Sequence, residues 1–239
     1  MRLQIAKDYC EMSAQTADFI IAELKQRPNL LLCASAGGTP TGPYEQLAVR
    51  HTRRPQLFKK MRVVQIDEWV GPAPTHPATC RYDLQTKLLT PLGIDRSRFR
   101  GFKSNCADPH LETKAMSRWL TKNGPIDICI LGLGLNGHIA MNEPDDELIP
   151  CAHVSKLTAQ SQKHSMLAIL KRKPNHGLTL GMADILSSRK ILLLVSGPTK
   201  TAILKRTLQP RVTTNLPASF LHLHHDVTVF CDRAGASSI

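Results

Sequence analysis

Aromatic residues and long apolar runs are both scarce in this sequence of 239 residues. Phe, Trp and Tyr make up only 5% of the chain, so few rings are available to stack on nucleic-acid bases. Apolar runs such as 128–135 and 191–195 fall far short of the roughly 20 residues that a membrane-spanning helix needs. The first residues also lack the succession of basic, apolar and small residues that marks a secretory signal. We therefore expect no association with a membrane.

No C-x-x-C pair occurs among the seven cysteines, which are scattered over positions 10, 33, 80, 106, 129, 151 and 231. Cys33, Cys129 and Cys231 lie within apolar stretches, where a free thiol behaves as a small hydrophobic group. An odd, scattered set is more typical of a reducing compartment than of a disulfide framework. The sequence thus predicts a cytoplasmic protein without a structural zinc site.

Acidic residues are few relative to basic ones. Against 31 Lys and Arg there are 19 Asp and Glu, which gives a formal net charge of +12. Such an excess favours anionic partners, either nucleic acid or phosphorylated small molecules. The basic residues are spread out, and no basic arm, zinc finger or ribonucleoprotein motif accompanies them. We interpret them as a solvated surface and do not expect nucleic acid as a partner.

Strand-like and helical patterns alternate along the whole chain. Apolar periodicity and capping residues predict helices over 10–24, from Pro40 onward with Thr39 as the cap, and over 80–89, 111–122, 159–170 and 200–208. Apolar runs predict strands over 30–35, 63–66, 99–102, 126–132, 153–157, 178–180, 191–195 and 227–231. This alternation indicates a single α/β domain over residues 1–239, with a mostly parallel sheet covered by helices on both faces.

Two loops after predicted strands carry groups that could bind or react with a ligand. The sequence Ala-Gly-Gly-Thr-Pro at 36–40 is either an anion site of glycine amides at a helix N-terminus or an ordinary tight turn. Asp67 and Glu68 follow the next strand. Because adjacent residues of a strand point to opposite faces, at most one carboxylate faces a site there. Beside Trp69, that carboxylate is either a desolvated general base or part of a surface turn.

A third loop, 132–138, formally contains the dinucleotide fingerprint G-x-G-x-x-G. Pro144 comes too early for a crossover helix, and no Asp or Glu occurs from 148 to 183 to bind a ribose. What remains is a polar cluster of Asn136, His138 and Glu143. An imidazole exchanges protons near neutral pH, and a neighbouring carboxylate would hold its tautomer.

Other catalytic motifs are absent from the sequence. Neither G-x-S-x-G nor H-E-x-x-H occurs, which disfavours serine hydrolases and zinc peptidases. The run 221–225 contains His222 and His224, which would share one face of a strand as metal ligands. We favour the simpler interpretation that this run forms the capped edge of the last strand.

These segments, in this order, resemble the superfamily of glucosamine-6-phosphate deaminases and 6-phosphogluconolactonases. The resemblance spans nearly the whole chain and is carried by A-G-G-T-P at 36–40, D-E-W-V at 67–70, G-L-G-L-N-G-H at 132–138, N-E-P at 142–144 and S-G-P-T-K at 196–200. Within that group the sequence is most similar to galactosamine-6-phosphate isomerases, notably in Pro-Ala-Ser-Phe-Leu at 217–221. The resemblance implies a modified doubly wound, Rossmann-like fold.

The resemblance also implies a reaction. A galactosamine or glucosamine 6-phosphate would be converted to a ketohexose 6-phosphate and ammonia, without a cofactor or metal. His138 would assist ring opening, Glu143 would hold its imidazole, and Asp67 would move a proton between C2 and C1. The residues that match the family's phosphate-contacting positions are Gly37, Gly38, Thr39 and Lys200.

The sequence departs from the deaminase pattern at two places. Asn136 stands where that pattern has Asp, and an amide cannot relay a proton, which reduces the assumed ring-opening triad to His138 and Glu143. The family's phosphate-binding Arg has no obvious counterpart, because an ungapped count places Leu167 there. Basic residues nearby that could replace it are His164, Lys171 and Arg172.

Two other functions stay open at this stage. One is hydrolysis of 6-phosphogluconolactone on the same scaffold, although the third loop lacks the lactonase sequence D-G-H-T-A-S-L-F-P. The other is binding of a sugar phosphate without catalysis, in which case Asn136 would mark a lost activity. The sequence does not decide which epimer is preferred or whether the chain forms a homo-oligomer.

Overall fold

A seven-stranded sheet forms the centre of the molecule. The computed structural model describes residues 1–237 and 239. Its strands are β1 (Arg2–Ala6), β2 (Leu31–Ala34), β3 (Arg62–Gln65), β4 (Asp67–Trp69), β5 (Phe99–Arg100), β6 (Ile128–Gly132), β7 (His153–Lys156), β8 (His176–Thr179), β9 (Lys190–Val195) and β10 (Val227–Asp232). The central sheet has the order β1-β10-β9-β6-β2-β3-β5, and every neighbouring pair in it is parallel. The expected mostly parallel sheet is confirmed.

Helices cover both faces of this sheet, as the alternation of elements predicts. They are α1 (Tyr9–Gln26), α2 (Thr41–Arg53), α3 (Cys80–Leu84, continued by a π-helical turn over Gln85–Leu89), α4 (Pro109–Asn123), α5 (Met182–Leu186) and α6 (Thr201–Thr207). Successive strand residues alternate between two apolar layers: Leu32 packs with α1, α2 and α3, whereas Leu31 and Cys33 pack with α4, α5 and α6. Strands buried on both faces account for the continuous apolar runs in the sequence.

A second, smaller sheet adjoins the first and was not expected from the sequence. It has the order β4-β8-β7 and is antiparallel throughout. The chain passes from β3 directly into β4 at Ile66, whose carbonyl accepts a hydrogen bond from the amide of Leu180 at 2.9 Å. Asp67 is therefore the first residue of a strand that leaves the central sheet, and it pairs with Thr179.

The strand order brings the predicted loops to one place. β2 lies between β3 and β6, so the chain reverses its direction of winding across the gap between β2 and β6. In open α/β sheets a ligand crevice forms beyond the carboxyl ends of the strands at such a switch point. The loops that follow β3, β2, β6 and β9 are neighbours there, although they are far apart in sequence.

Several local expectations are wrong. Thr39 does not cap α2: the cap position is Pro40, and the Thr41 hydroxyl instead bonds the carbonyl of Gly37 at 2.8 Å. The predicted helix over 159–170 is two separate 3-10 turns, Ser161–Lys163 and Ser165–Ile169. The backbone of His164 is extended between them (ψ 137°) and interrupts the helix.

The histidine run does not form the edge of the last strand, because it lies in and after a turn that precedes β10. His222 and His224 lie in and just after a 3-10 turn, Pro217–Leu223, and their Nε2 atoms contact the carbonyls of Thr207 at 2.9 Å and Ser188 at 2.7 Å. Within residues 1–237 and 239, no group of three or more His, Cys, Asp or Glu is arranged to hold a metal ion. Among these same residues, no helix has the length and apolar character needed to cross a bilayer.

Candidate active site

A cleft of about 300 Å³ lies at the switch point of the central sheet. Seven elements of chain contribute to its walls, and they include the three loops singled out in the sequence. The sequence-predicted residues that line it are Gly37, Gly38, Thr39, Asp67, His138 and Lys200. Asn136 and Glu143 do not line the cleft but lie behind His138 and bond to each other. All the predicted site residues are therefore brought into one neighbourhood.

Asp67 and Glu68 point to opposite sides of β4, as adjacent strand residues must. The half-buried side chain of Asp67 faces the cleft. Glu68 is fully buried, and its carboxylate accepts hydrogen bonds from the backbone amides of Trp69, Cys80 and Arg81 at 2.8, 2.9 and 2.8 Å. Glu68 thus anchors the start of α3 to β4, and Asp67 is the carboxylate that faces the cleft.

The surroundings of Asp67 make it a proton acceptor suited to neutral pH. Burial and the neighbouring charge of Glu68 raise the pKa of Asp67 to about 7, while a hydrogen bond from the Cys80 thiol opposes the shift. A general base works best when its pKa lies near the working pH, because it is then both available and strong. Asp67 meets that condition.

This raised pKa predicts how stability depends on pH. The pKa of an Asp carboxyl is about 4 in the unfolded chain, and that of Asp67 is about 7 in the folded chain. Between these two pH values the folded chain keeps a proton on Asp67 that the unfolded chain releases. The free energy of unfolding therefore falls as pH rises through this window, and Asp67→Asn removes the loss. In urea unfolding we expect the variant to be about 2 kcal/mol more stable than the wild type at pH 8, and nearly equal at pH 4. The same difference at both pH values would contradict this assignment.

His138 is held against the third loop by its neighbours. Its ring lies over Gly134, where a Cβ atom would approach the ring to 2.5 Å, so a side chain at that position would displace the imidazole. The Nδ1 atom is buried and lies 3.4 Å from Oε2 of Glu143, which is long for a hydrogen bond but within ion-pair range. The Oδ1 atom of Asn136 accepts the His138 amide at 3.2 Å.

Glu143 is fixed as an anion behind the imidazole. Burial by itself would raise the pKa of Glu143, but the contact with His138 and its positive charge outweigh that effect. Hydrogen bonds from Ser161 and Asn136 act in the same direction, and the net pKa is lowered to about 2. The Asn136 amide donates to Oε2 at 2.8 Å. Asn136 therefore orients Glu143 by donation, a role that an ionised Asp could not fill.

The glycine loop offers amide groups to an anion. Gly37 has a φ of 116°, which favours glycine, and its amide already donates to Asp83 at 3.0 Å. The amides of Gly38 and Thr39, by contrast, have no hydrogen-bond partner within residues 1–237 and 239. The Tyr9 hydroxyl donates to the carbonyls of both residues and holds the loop from behind. Gly37 therefore shapes the loop, and the next two residues supply its free donors.

Lys200 brings a cation to the same cleft. Its ammonium donates to the carbonyl of Leu133 at 2.6 Å, which places it beside the third loop. Burial lowers the pKa of Lys200. Asp232 orders the turn that precedes it, because its carboxylate accepts from the Gly197 amide at 3.1 Å and from the Ser196 hydroxyl.

The cleft also contains side chains beyond the predicted site residues. Trp69 and Cys80 line it beside Asp67, while Lys163 and His164 line it from the turns after β7. Leu167, at the position where the resemblance expects Arg, is buried in a small apolar cluster with Trp69 and Cys80. The sequence indicates Trp69 and His164 as candidates, but no motif marks Cys80 or Lys163.

The comparisons with known proteins agree with this architecture. A model of the family described as glucosamine-6-phosphate isomerases/6-phosphogluconolactonase matches residues 5–230. This chain belongs to that family. The resemblance seen in the sequence motifs is thereby confirmed at the level of the family.

Individual relatives cover almost the whole chain. A glucosamine-6-phosphate deaminase of Geobacillus sp. (strain WCH70) is 34% identical over 241 residues, which span 100% of this chain and 96% of the relative. AgaI of Escherichia coli (strain K12), named as an inferred deaminase, is 36% identical over 222 residues, 93% of this chain and 88% of the relative.

Solved structures share the fold. The structure of a monomeric glucosamine-6-phosphate deaminase is 32% identical, covers 99% of both chains and superimposes with a TM-score of 0.93. A 6-phosphogluconolactonase from Trypanosoma brucei is 20% identical, covers 100% of this chain and 98% of its own, and gives a TM-score of 0.79. The second likeness concerns the fold alone. The doubly wound α/β architecture is confirmed.

Proposed function

We propose that this protein is an amino-sugar-phosphate isomerase that also deaminates its substrate. It takes galactosamine 6-phosphate or glucosamine 6-phosphate and releases a ketohexose 6-phosphate and ammonia. One observation carries the proposal: Asp67, with its pKa near neutrality, opens into the same cleft as His138 and Lys200. The relatives named as glucosamine-6-phosphate deaminases support this chemistry.

The proposed reaction assigns a separate task to each group. His138, held by Glu143, moves the proton that opens the sugar ring and exposes the C1 aldehyde. Asp67 then removes the proton from C2, which gives an enolamine, and returns it to C1. The resulting C2 iminium is hydrolysed by water, so that the ketone forms and ammonia leaves. Each step needs only a proton carrier and water, and the proposal includes no cofactor.

The phosphate of the substrate is proposed to bind at the glycine loop. The free amides of Gly38 and Thr39 supply two donors, Gly37 gives the loop its shape, and Lys200 supplies charge. Amides together with an ammonium group form a typical anion site in α/β folds. This placement also explains why the cleft has a basic side at Lys200 and an acidic side at Asp67.

Lys200→Gln tests that placement. A charge-assisted hydrogen bond to phosphate contributes about 1.5–3 kcal/mol, so we expect KM to rise about 10- to 100-fold while kcat changes less. Steady-state kinetics measures both constants. Lys205→Gln, on the outer side of α6, is the matched control and should leave KM unchanged. An unaltered KM in Lys200→Gln would remove this lysine from the phosphate site.

The activity itself has a direct test. The purified protein is incubated with galactosamine 6-phosphate, glucosamine 6-phosphate and unphosphorylated glucosamine, and ammonia is assayed. We expect ammonia from the two phosphorylated sugars only. The ratio of their kcat/KM values assigns the preferred epimer. No ammonia from either sugar, with a folded sample, refutes the proposal, and hydrolysis of 6-phosphogluconolactone above its spontaneous rate would support a lactonase instead.

A further inference from the structure

His164 occupies a place in the cleft that the proposed mechanism does not use. Its ring lies across the glycine loop, so that a Cβ atom on Gly37 would be 3.9 Å from its Nε2 atom. On its other side the ring packs against Trp69, with centroids 5.8 Å apart and planes inclined by 46°. The imidazole thus lies beside Gly37, and it lines the same cleft as Gly38 and Thr39, whose amides are free.

The hydrogen bonding of His164 determines what it can offer a ligand. Its Nδ1 atom accepts the backbone amide of Met166 at 3.3 Å. An imidazole that accepts at Nδ1 carries its proton on Nε2, which is then a donor. Partial desolvation in the cleft lowers the pKa of His164, and the charges of His138 and Lys200 act in the same direction against the opposing effect of Asp83. The ring is therefore a neutral donor at neutral pH.

Lys163 also lines the cleft, but the two basic residues considered together with His164 lie elsewhere. Arg172 lines a separate hollow with Val70 and Gly71. Lys171 is exposed and is not part of the cleft wall, and Leu167 is buried in the apolar cluster below it. Four residues were considered from the sequence as the phosphate-binding side chain. Of these, which are His164, Leu167, Lys171 and Arg172, only His164 lines the cleft.

We propose that the Nε2–H group of His164 donates a hydrogen bond to the substrate phosphate, together with the amides of Gly38 and Thr39 and the ammonium of Lys200. The inference rests on the proposed function, since it assumes that a phosphate occupies the glycine loop. The neutral His164 ring provides a hydrogen bond to the phosphate, whereas Lys200 provides the positive charge. It therefore contributes to binding of the phosphorylated substrate and not to the chemical steps.

Three variants separate donation from a structural role. His164→Ala removes the donor, and we expect KM for the amino-sugar 6-phosphate to rise about 10-fold with kcat within about 3-fold. In His164→Gln the side-chain amide nitrogen can reach the place of Nε2, so KM should stay within about 3-fold of the wild type. In His164→Asn the amide is too short to reach it, and this variant should behave like the alanine variant. His110→Ala, an exposed histidine on α4, is the control.

Inorganic phosphate provides a readout that does not depend on turnover. Its dissociation constant, measured by calorimetry, should weaken in His164→Ala and His164→Asn but not in His164→Gln. If His164→Ala leaves both KM and phosphate binding unchanged, or if the glutamine variant is as impaired as the alanine variant, the inference is wrong. If the wild type binds phosphate through His164 but releases no ammonia, the proposed function fails while the assignment of His164 stands.

Discussion

Asp67→Asn should reduce turnover of the amino-sugar phosphate by about 10³-fold or more. General acid–base catalysis contributes typically 10²- to 10⁴-fold, and the proposed mechanism uses Asp67 twice, once at C2 and once at C1. The amide has nearly the same size as the carboxylate but cannot accept the C2 proton. Binding should be preserved, because the phosphate donors lie on other loops, so KM and the affinity for inorganic phosphate should change by less than about 3-fold.

Exchange with solvent gives an independent measurement of the same step. In D2O, a carboxylate that carries a proton from C2 to C1 exchanges part of it, so the wild type should place deuterium at C1 of the ketose product, which mass spectrometry detects. Asp67→Asn should lose this incorporation together with turnover. Asp146→Asn, an exposed aspartate outside the cleft, serves as the control. If Asp67→Asn retains more than a tenth of the wild-type kcat, Asp67 is not the base.

The pH profile of the wild type should report the same carboxyl group. Since burial raises the pKa of Asp67 to about 7, a growing share of the free enzyme is protonated as pH falls below that value. The base is then unavailable, and kcat/KM should fall about tenfold per pH unit on the acid side. The pKa of Glu143, at about 2, is too low for that group to cause this limb.

The site could be anticipated from the sequence because strand ends constrain where loops meet. The runs 30–35 and 126–132 predicted strands that the structure confirms as β2 and β6, and parallel strands must end at the same edge of the sheet. The period of two along a strand predicts that Asp67 and Glu68 point to opposite sides. These are local rules, and they hold wherever the element itself is correctly recognised.

Long-range pairing explains most of what the sequence did not reveal. Strand β1 was missed although its residues alternate between polar and apolar, because a five-residue edge strand in which only Ala6 is buried carries too short a pattern. The small sheet was missed because β4 has three residues and pairs with β8, more than 100 positions away. A three-residue strand has too little local pattern to be seen.

The prediction of a helix over 159–170 was wrong for a different reason. Its spacing is compatible with a helix, but Leu167 is buried in the cluster with Trp69, while His164 faces the glycine loop. In the structure an extended backbone at 164 separates the two turns, and both contacts form with this interruption in place. Tertiary contacts thus outweigh weak helix propensity here. The residue at which the helix prediction fails is the one to which we assign phosphate recognition.

Glu143→Gln should lower kcat by about 100-fold. The carboxylate lies 3.4 Å from Nδ1 of His138 and is ionised at all working pH values. It orients the ring and stabilises the imidazolium that forms during ring opening. Glutamine keeps the shape and one acceptor oxygen but loses the charge. Asn136→Ala should cost less, about 10-fold, because Ser161 still donates to the same carboxylate.

A double variant distinguishes a His138–Glu143 unit from two independent contributions. Groups that act together are strongly non-additive, so once His138 is gone the carboxylate has nothing to orient. His138→Gln should reduce kcat by at least as much as Glu143→Gln, and the double variant should be no slower than His138→Gln alone. If the two losses instead multiply, Glu143 acts on the substrate or on the fold and not through the imidazole. Thermal unfolding of each variant separates those two cases, since only a structural role lowers the melting temperature in step with kcat.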